Sequence, residues 1–370
     1  MIIKILFPLV MSLLFLAIHY LGYSRIVKHL HVKPKTQNLL GLLLIFNYLG
    51  VLAYLASRYF LDVSNSLYFL LSLSIGVGFV IFISIILYEL LHVMQKNVPI
   101  DIEKRAFFKR SSDIGFLSLG AGYLGSGVYE GSKTPEILAL SVTQNRLRKP
   151  ITIAQISDMH IGGLIDRDFV AQSVAKINAQ KPDLVVITGD LTDAPIETLK
   201  EAVDELGALK SRLGTFYVIG NHEYFHGLDA TISYIKTLGI NVLENRSVKL
   251  DDFYICGVYD VFGHRYGSHA PDIVKAMQEI PKDAPTLLLA HQPRYIHELG
   301  AYEPSLMLSG HTHGGQIWPF GYLVTMVQPY LKGLHVIGKN RHIYVNSGIG
   351  FWGPPMRLGS SAEISIITWS

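Results

Sequence analysis

Three long apolar stretches open the chain, and beyond about residue 132 it changes to short apolar runs separated by polar turns. Residues 1–23, 39–61 and 67–91 carry almost no charge, and each is close to the ~20 residues a helix needs to cross a bilayer. The pattern predicts three membrane helices. A fourth run, 114–129, is shorter and holds Gly115, Gly120, Gly122, Gly125 and Gly127. It fits a further span, a helix packed on the others through its small residues, or a surface segment. The first region, 1–131, is therefore a multi-pass membrane region of about four helices, and 132–370 a separate domain.

In that second region the apolar runs are short and rich in β-branched residues, as strands are. They fall at 137–142, 151–156, before Gly189, and at 216–219, 240–243, 248–250, 253–256, 286–290, 306–308, 341–345 and 364–368. Stretches with helical character lie at 167–179, 195–209, 228–238 and 271–279. Strands first alternate with helices and then cluster. This order predicts a layered α/β domain with mixed sheets.

Composition sharpens the division. The 370 residues carry a formal net charge of +3, and only 16% are charged, against about 25% in a soluble domain. The single cysteine, Cys256, excludes an internal disulfide and a cysteine-based zinc site. Basic residues are too scattered to form a nucleic-acid stripe. They do mark the membrane region. Arg25, Lys28, Lys33 and Lys35 follow the first run, and Lys104, Arg105, Lys109 and Arg110 precede the fourth; the link 62–66 has no basic residue. Under the positive-inside tendency both basic loops face the cytoplasm. If the fourth run spans, the second domain lies outside the cytoplasm, attached to the cytoplasmic (inner) membrane. Lys104–Arg110 also looks like a twin-arginine export signal with lysine in the first position, or is an ordinary basic flank. Lys133, Arg146, Arg148 and Lys149 put positive charge on the proposed outer side.

The chemistry sits where strands end. One run closes on Ser157-Asp158-Met159-His160, and the next on Gly189-Asp190-Leu191-Thr192-Asp193. Later runs close on Gly220-Asn221-His222-Glu223, Ala290-His291 and Gly310-His311-Thr312-His313. Any one of these residues is explained by capping or packing; five sets in order, all at strand ends, are not. Asp-x-His and His-x-His spacing puts both side chains on one side of an extended chain. Oxygen and imidazole donors without thiolate suit Mn²⁺, Fe or Zn²⁺. They outnumber the four a single zinc takes, so two divalent metal ions fit better.

Asp158-x-His160, Gly189-Asp190-x-x-Asp193, Gly220-Asn221-His222-Glu223, His291 and Gly310-His311-x-His313 together resemble the motif set of the calcineurin-like metallophosphoesterases. The stretches 310–317 and 350–359 resemble their membrane-attached bacterial branch; Ala290 stands where many members have glycine. The resemblance implies two stacked mixed β-sheets flanked by helices behind N-terminal transmembrane helices. It implies that Asp158, His160 and His313 hold one metal, that Asn221, His291 and His311 hold the other, and that Asp190 bridges both. His222 would be the catalytic residue beside the leaving oxygen, and Asp193 would orient a neighbouring imidazole. The implied activity is hydrolysis of phosphate esters or pyrophosphates, with a lipid-linked or amphiphilic substrate as one candidate. The alternatives are a catalytically silent metal-binding scaffold on the membrane and a phosphodiesterase of a soluble nucleotide.

His226, His264, His269 and His297 read as surface or packing residues, and Asp166 and Asp168 as caps of the following helix. Tyr224, Phe225, Trp318, Phe320, Phe351 and Trp352 neighbour the motif loops. They pack those loops or form an apolar rim that meets lipid of the bilayer.

Overall fold

The computed structural model describes residues 2–61, 63–96, 102–143 and 147–370. The chain divides into two compact units, Met1–Tyr129 with Gly353–Met356, and Glu130–Trp352 with Arg357–Ser370.

The first unit is helical. Helix α1 (Ile2–Leu21) runs on through a π-helical turn (Gly22–Ile26) and a 3-10 turn (Val27–His29), beyond the residue 23 expected from hydrophobicity. Helices α2 (Pro34–Tyr59), α3 (Asn65–Lys96) and α4 (Ile102–Gly131) follow. Pro34 opens α2 at its first position, where the missing N–H is no loss. Among the described residues, three helical segments are long and apolar enough to cross a membrane: Leu6–His29, Pro34–Arg58 and Asn65–Leu91. The fourth run is not among them. It is the second half of α4, whose first half is polar. Phe15, Val51, Tyr54 and Leu55 form the core of the bundle. Polar groups inside it pair with one another, as lipid surroundings favour: the Asn47 amide lies 2.9 Å from His19 Nε2 and donates to the Ser74 carbonyl at 3.1 Å. The His31 N–H donates to Asp113 at 2.9 Å, which ties the first basic loop to α4. The side chains of Lys104, Arg105 and Lys109, and all of Arg146, lie outside the described residues.

The second unit holds two six-stranded sheets. Strands β1 (Glu136–Val142), β2 (Ile151–Ile156), β3 (Leu184–Ile187), β4 (Thr215–Tyr217) and β5 (Asn241–Val242) build the first with the last strand, β12 (Glu363–Trp369), in the order β1-β12-β2-β3-β4-β5. Strands β6 (Arg246–Leu250), β7 (Phe253–Gly257), β8 (Thr286–Leu289), β9 (Leu306–Ser309), β10 (Gly333–Gly338) and β11 (Arg341–Val345) build the second, in the order β10-β11-β9-β8-β7-β6. Pairs β2–β3, β3–β4, β7–β8 and β8–β9 are parallel, so their carboxyl ends face one edge in each sheet.

Burial accounts for the layering. Ile153, Leu184, Val186 and Phe216 of the first sheet share one core with Ile255, Leu287, Leu306 and Leu308 of the second. The alternate residues of the first sheet, Ala154, Ile156, Val185 and Ile187, pack on α5 (Arg167–Ala179), on α6 (Lys200–Val203) and on α8 (Leu228–Thr237), which follows the single turn α7 (Glu223–His226). The outer face of the second sheet packs on α10 (Ile273–Met277) and the 3-10 helix Pro293–Glu298; α9 (Gly263–Tyr266) and α11 (Gly321–Val324) are single turns. Helices thus flank two stacked sheets. Asp166 does cap α5, accepting from Phe169 N at 3.1 Å.

Two expectations fail. The stretch 195–209 is not one helix but a 3-10 turn, α6 and a second 3-10 turn; Gly207, a poor helix former, lies in the last of these. Strand β10 was not expected: it is a glycine-bounded edge strand with its side chains half in water, so it lacks the apolar run of a buried strand.

Candidate metal centre

The parallel strands deliver the motif residues to one place. Asp158 and His160 follow β2, Asp190 follows β3, and Asn221 and His222 follow β4; His291 follows β8, and His311 and His313 follow β9. Crowding at this edge fixes the local backbone. Gly189 lies at φ +92°, and a Cβ there would stand 2.5 Å from His291 Nδ1; a Cβ on Gly310 would overlap Ser157 Oγ and Asp158 Oδ2. Five candidate donors, Asp158, His160, Asp190, His311 and His313, sit at φ between +49° and +71°. Non-glycine residues enter that region at a cost of roughly 1–3 kcal/mol each, and such strain gathers at functional sites.

Three groups of donors converge, each with one atom per residue within 4.8 Å of the others: Asp158, His160 and His313; Asp190, His291 and His311; and His160, Asp193 and His222. The hydrogen bonds fix which ring nitrogens face the other donors. His291 Nδ1 lies 2.7 Å from the Thr188 carbonyl, which can only accept, so Nδ1 carries the proton. Its Nε2 faces Asp190 Oδ2, Asn221 Oδ1 and His311 Nδ1, all at 3.2 Å, where it can hold a proton or, once that proton is lost, a cation. His160 Nδ1 donates to Asp193 at 2.8 Å, and its Nε2 faces His313 Nε2 at 3.0 Å. Asp158 Oδ1 is 3.6 Å from the same His313 nitrogen. Acceptors at these distances repel unless a proton or a cation lies among them. Divalent cations fit this donor set, and Asp190 Oδ2 stands between its two halves, 3.2 Å from His291 and 3.9 Å from His160.

The electrostatics agree. Burial pushes the Asp158 carboxyl up, an effect that the charge on Asp190 reinforces and that on His291 opposes. Burial also raises the cost of charge on Asp190, yet His291 and His222 hold its carboxyl well below the usual range. Burial works against a charge on His291, but Asp190 outweighs it and raises the imidazole. Burial, then the charge on His291, pushes His311 down to about 3. Burial, then His160 and Arg357, pushes His313 down as well. Neutral His311 and His313 keep the lone pairs that ligands need.

His222 differs from the rest. Its Nδ1 lies 2.5 Å from Asp193 Oδ1, which His160 shares, and its backbone N–H donates to Asp190 Oδ1 at 2.9 Å. Its Nε2 is 3.9 Å from Asp190 Oδ2. One carboxylate therefore orients two imidazoles.

Three supporting residues were not singled out from the sequence. Glu223, fully buried, accepts from Leu191 N, Thr192 N and Gly220 N at 2.7, 3.1 and 2.7 Å, joining the loops that carry Asp190 and Asn221. Arg357 is 1% exposed. It donates to the carbonyls of Ser347, Gly348, Gly350, Ser360 and Ser361 and lies 3.5 Å from His313 Nδ1. Burial pushes its guanidinium down to about 10. The loop it clamps donates from Ile349 N and Gly350 N to the Ser157 and Asp158 carbonyls. Gln155 bridges the sheets, donating to Thr188 Oγ1 and the Ser309 carbonyl. A polar residue inside an apolar run and an arginine in a Gly/Pro stretch were the available signals.

Among the other histidines, His264 pairs with Glu298 at 3.0 Å and His269 with Asp229 at 3.2 Å. Of the aromatic residues beside the loops, Tyr224 is buried, whereas Phe225, Trp318, Phe320 and Trp352 are exposed. A cleft of about 610 Å³ is lined by Asn245, Tyr259 and Asp272 and holds none of the candidate donors.

The sequence of residues 151–315 matches the family model described as calcineurin-like phosphoesterase. A metallophosphoesterase of Helicobacter pylori is 38% identical over 369 residues, covering 99% of this chain and 98% of its own. One from Campylobacter jejuni is 29% identical over 98% of both chains. A transmembrane protein with metallophosphoesterase domain from Bos taurus is 35% identical over 65% of this chain and 58% of its own.

Proposed function

The chain belongs to the calcineurin-like metallophosphoesterases, and we propose that it is a membrane-attached, two-metal hydrolase of phosphate esters or pyrophosphates whose substrate is lipid-linked or amphiphilic. The observation that carries the two-metal reading is the ring of converging carboxylate, amide and imidazole donors around Asp190. Asp158, His160 and His313 would hold one divalent ion, Mn, Fe or Zn. Asn221, His291 and His311 would hold the other, and Asp190 would touch both. Such ions supply charge neutralisation at phosphate oxygens and a more acidic water.

The protein's own side chains do the remaining work. Asp193 holds His222 by Nδ1, which leaves Nε2 to carry a proton toward the leaving oxygen. A silent scaffold would have no use for this oriented imidazole, which is 12% exposed on its side chain beside buried donors.

An apolar segment supports an amphiphilic substrate over a soluble nucleotide. Trp318, Tyr322, Met326 and Val327 are 55%, 69%, 78% and 65% exposed, with Phe320 and Leu323 among them. Six large apolar side chains open to water within ten residues are unusual for a soluble surface and suit contact with acyl chains. Burying even ~60 Å² of acyl chain is worth about 1.5 kcal/mol, roughly tenfold in affinity. Attachment to the bilayer adds effective concentration. The full chain, loaded with Mn²⁺ or Zn²⁺ in mixed micelles, is therefore expected to turn over a long-chain alkyl phosphodiester at least about tenfold better, in kcat/KM, than its short-chain head group. Equal values would remove the lipid reading, and no hydrolysis of either would favour the scaffold.

We place the catalytic unit outside the cytoplasm at the inner membrane: the basic loops at either side of α2 and α3 face the cytoplasm, and the second half of α4 would have to cross in addition to the three apolar segments. A single cysteine introduced by Ser370→Cys reports this, since Cys256 is buried. A membrane-impermeant thiol reagent should label intact cells. Labelling only after the membrane is opened would put the unit inside.

A further inference from the structure

A second cleft, about 400 Å³, opens beside the metal centre, with Asn221 and His311 in its wall. Arg265, Arg294, His264 and Glu298 also line it. The carboxylate of Glu298 is taken by His264 at 3.0 Å. The guanidinium groups of Arg265 and Arg294 are exposed and have no hydrogen-bond or ion-pair partner among the described residues.

The backbones that carry these arginines are fixed by a buried polar chain. Asp260 Oδ1 accepts from Phe262 N at 2.7 Å, at the entry to α9, and from Gln292 Nε2 at 3.0 Å. Gln328 donates to Gln292 Oε1 at 3.0 Å and accepts from Arg294 N at 3.0 Å. Asp260, Gln292 and Gln328 are 2%, 8% and 3% exposed. Two cations are thus presented from anchored turns, with their charge unspent, toward the cleft that starts at the candidate donors.

We propose that Arg265 and Arg294 bind a second phosphoryl group of the substrate, so that the bond hydrolysed lies in a pyrophosphate or next to a further phosphate. This rests on the phosphoesterase reading above and specifies its substrate class. The guanidinium fork matches phosphate oxygens two at a time, and is stronger there than against a neutral group. In a pyrophosphate, water adds to the phosphorus held beside Asn221, and the P–O–P bond breaks. The second phosphoryl leaves with the bridging oxygen, which takes a proton. The arginines then stabilise charge on the departing half. A simple alcohol ester would leave both cations without a partner.

The test compares the full metal-loaded chain with Arg265→Gln, Arg294→Gln and the double variant. The substrates are bis(p-nitrophenyl) phosphate, with one phosphorus, and di(p-nitrophenyl) pyrophosphate, with two. The double variant should raise KM for the two-phosphorus substrate at least tenfold and leave KM for the one-phosphorus substrate within twofold. Metal content and melting temperature should match the parent. Calorimetric binding of the non-hydrolysed diphenyl methylenebisphosphonate should weaken by the same factor. An equal rise in KM for both substrates, or unchanged bisphosphonate affinity, would overturn the assignment. If the parent protein hydrolysed neither substrate, the phosphoesterase reading itself would fail, while the calorimetry would still decide whether the arginines bind a second phosphoryl group.

Discussion

Asp190→Asn is expected to abolish activity and to empty both metal positions together. The substitution keeps the shape and removes one charge. At about 4 Å and an effective dielectric of 20, a unit charge pair is worth about 4 kcal/mol, so affinity for each ion should fall by roughly 10³ or more. The apoprotein should fare differently. The asparagine oxygen can still accept from His222 N, as Asp190 Oδ1 does at 2.9 Å. Its amide N–H would meet His291 Nε2, which now faces Asp190 Oδ2 at 3.2 Å. The neutral amide cannot hold the raised His291 imidazole as the carboxylate does, so an ion pair becomes at best a neutral hydrogen bond. In chelator, the variant should therefore melt no higher than the parent, while the stabilisation that added metal gives the parent disappears. Metal content by mass spectrometry, melting curves with and without metal, and turnover decide it. A variant that kept two ions and normal turnover would sink the bridging role.

His222→Ala should separate chemistry from metal binding. The His222 imidazole touches Asp193, its backbone N–H donates to the Asp190 carboxylate, and it is not needed to complete either group around Asp158 or His291. Removing its imidazole leaves Asp193 paired with His160 at 2.8 Å, so metal content should stay near that of the parent. The rate should drop by roughly 10²–10⁴, the usual worth of a positioned acid or base. The drop should be smaller for substrates whose leaving oxygen is acidic, such as p-nitrophenyl esters, because they need less help with a proton. Loss of bound metal in this variant would instead make His222 a ligand.

Much of the molecule was legible before its structure. The strands at 151–156, 286–290 and 341–345 announced themselves as apolar, β-branched runs, and the structure has β2, β8 and β11 there. The three longest apolar runs became the three helical segments able to cross a membrane, because length and uniform apolarity need no tertiary partner. Local sequence was less informative where context decided. Residues 195–209 broke into turns, and β10 formed on an exposed edge beside β11, where pairing with a neighbour supplies the order that hydrophobicity does not.

The candidate site divides along the same line. The sequence by itself determined which side chains stand at strand ends and in what order, since an apolar run stopped by a small residue or a turn is a local property. It also determined the type of donor, oxygen and imidazole without thiolate. Only the tertiary structure decided that the ends of strands from two different sheets meet. It alone showed His291 from β8 facing Asp190 from β3, Asp193 serving both His160 and His222, and five donors held at positive φ. It alone gave work to Glu223 and Arg357, whose partners lie up to 32 positions away for the first and on one clamped loop for the second. The reason is physical: a donor's chemistry is written in its side chain, but its distance to the next donor is set by how two buried sheets stack, which no short stretch of chain encodes.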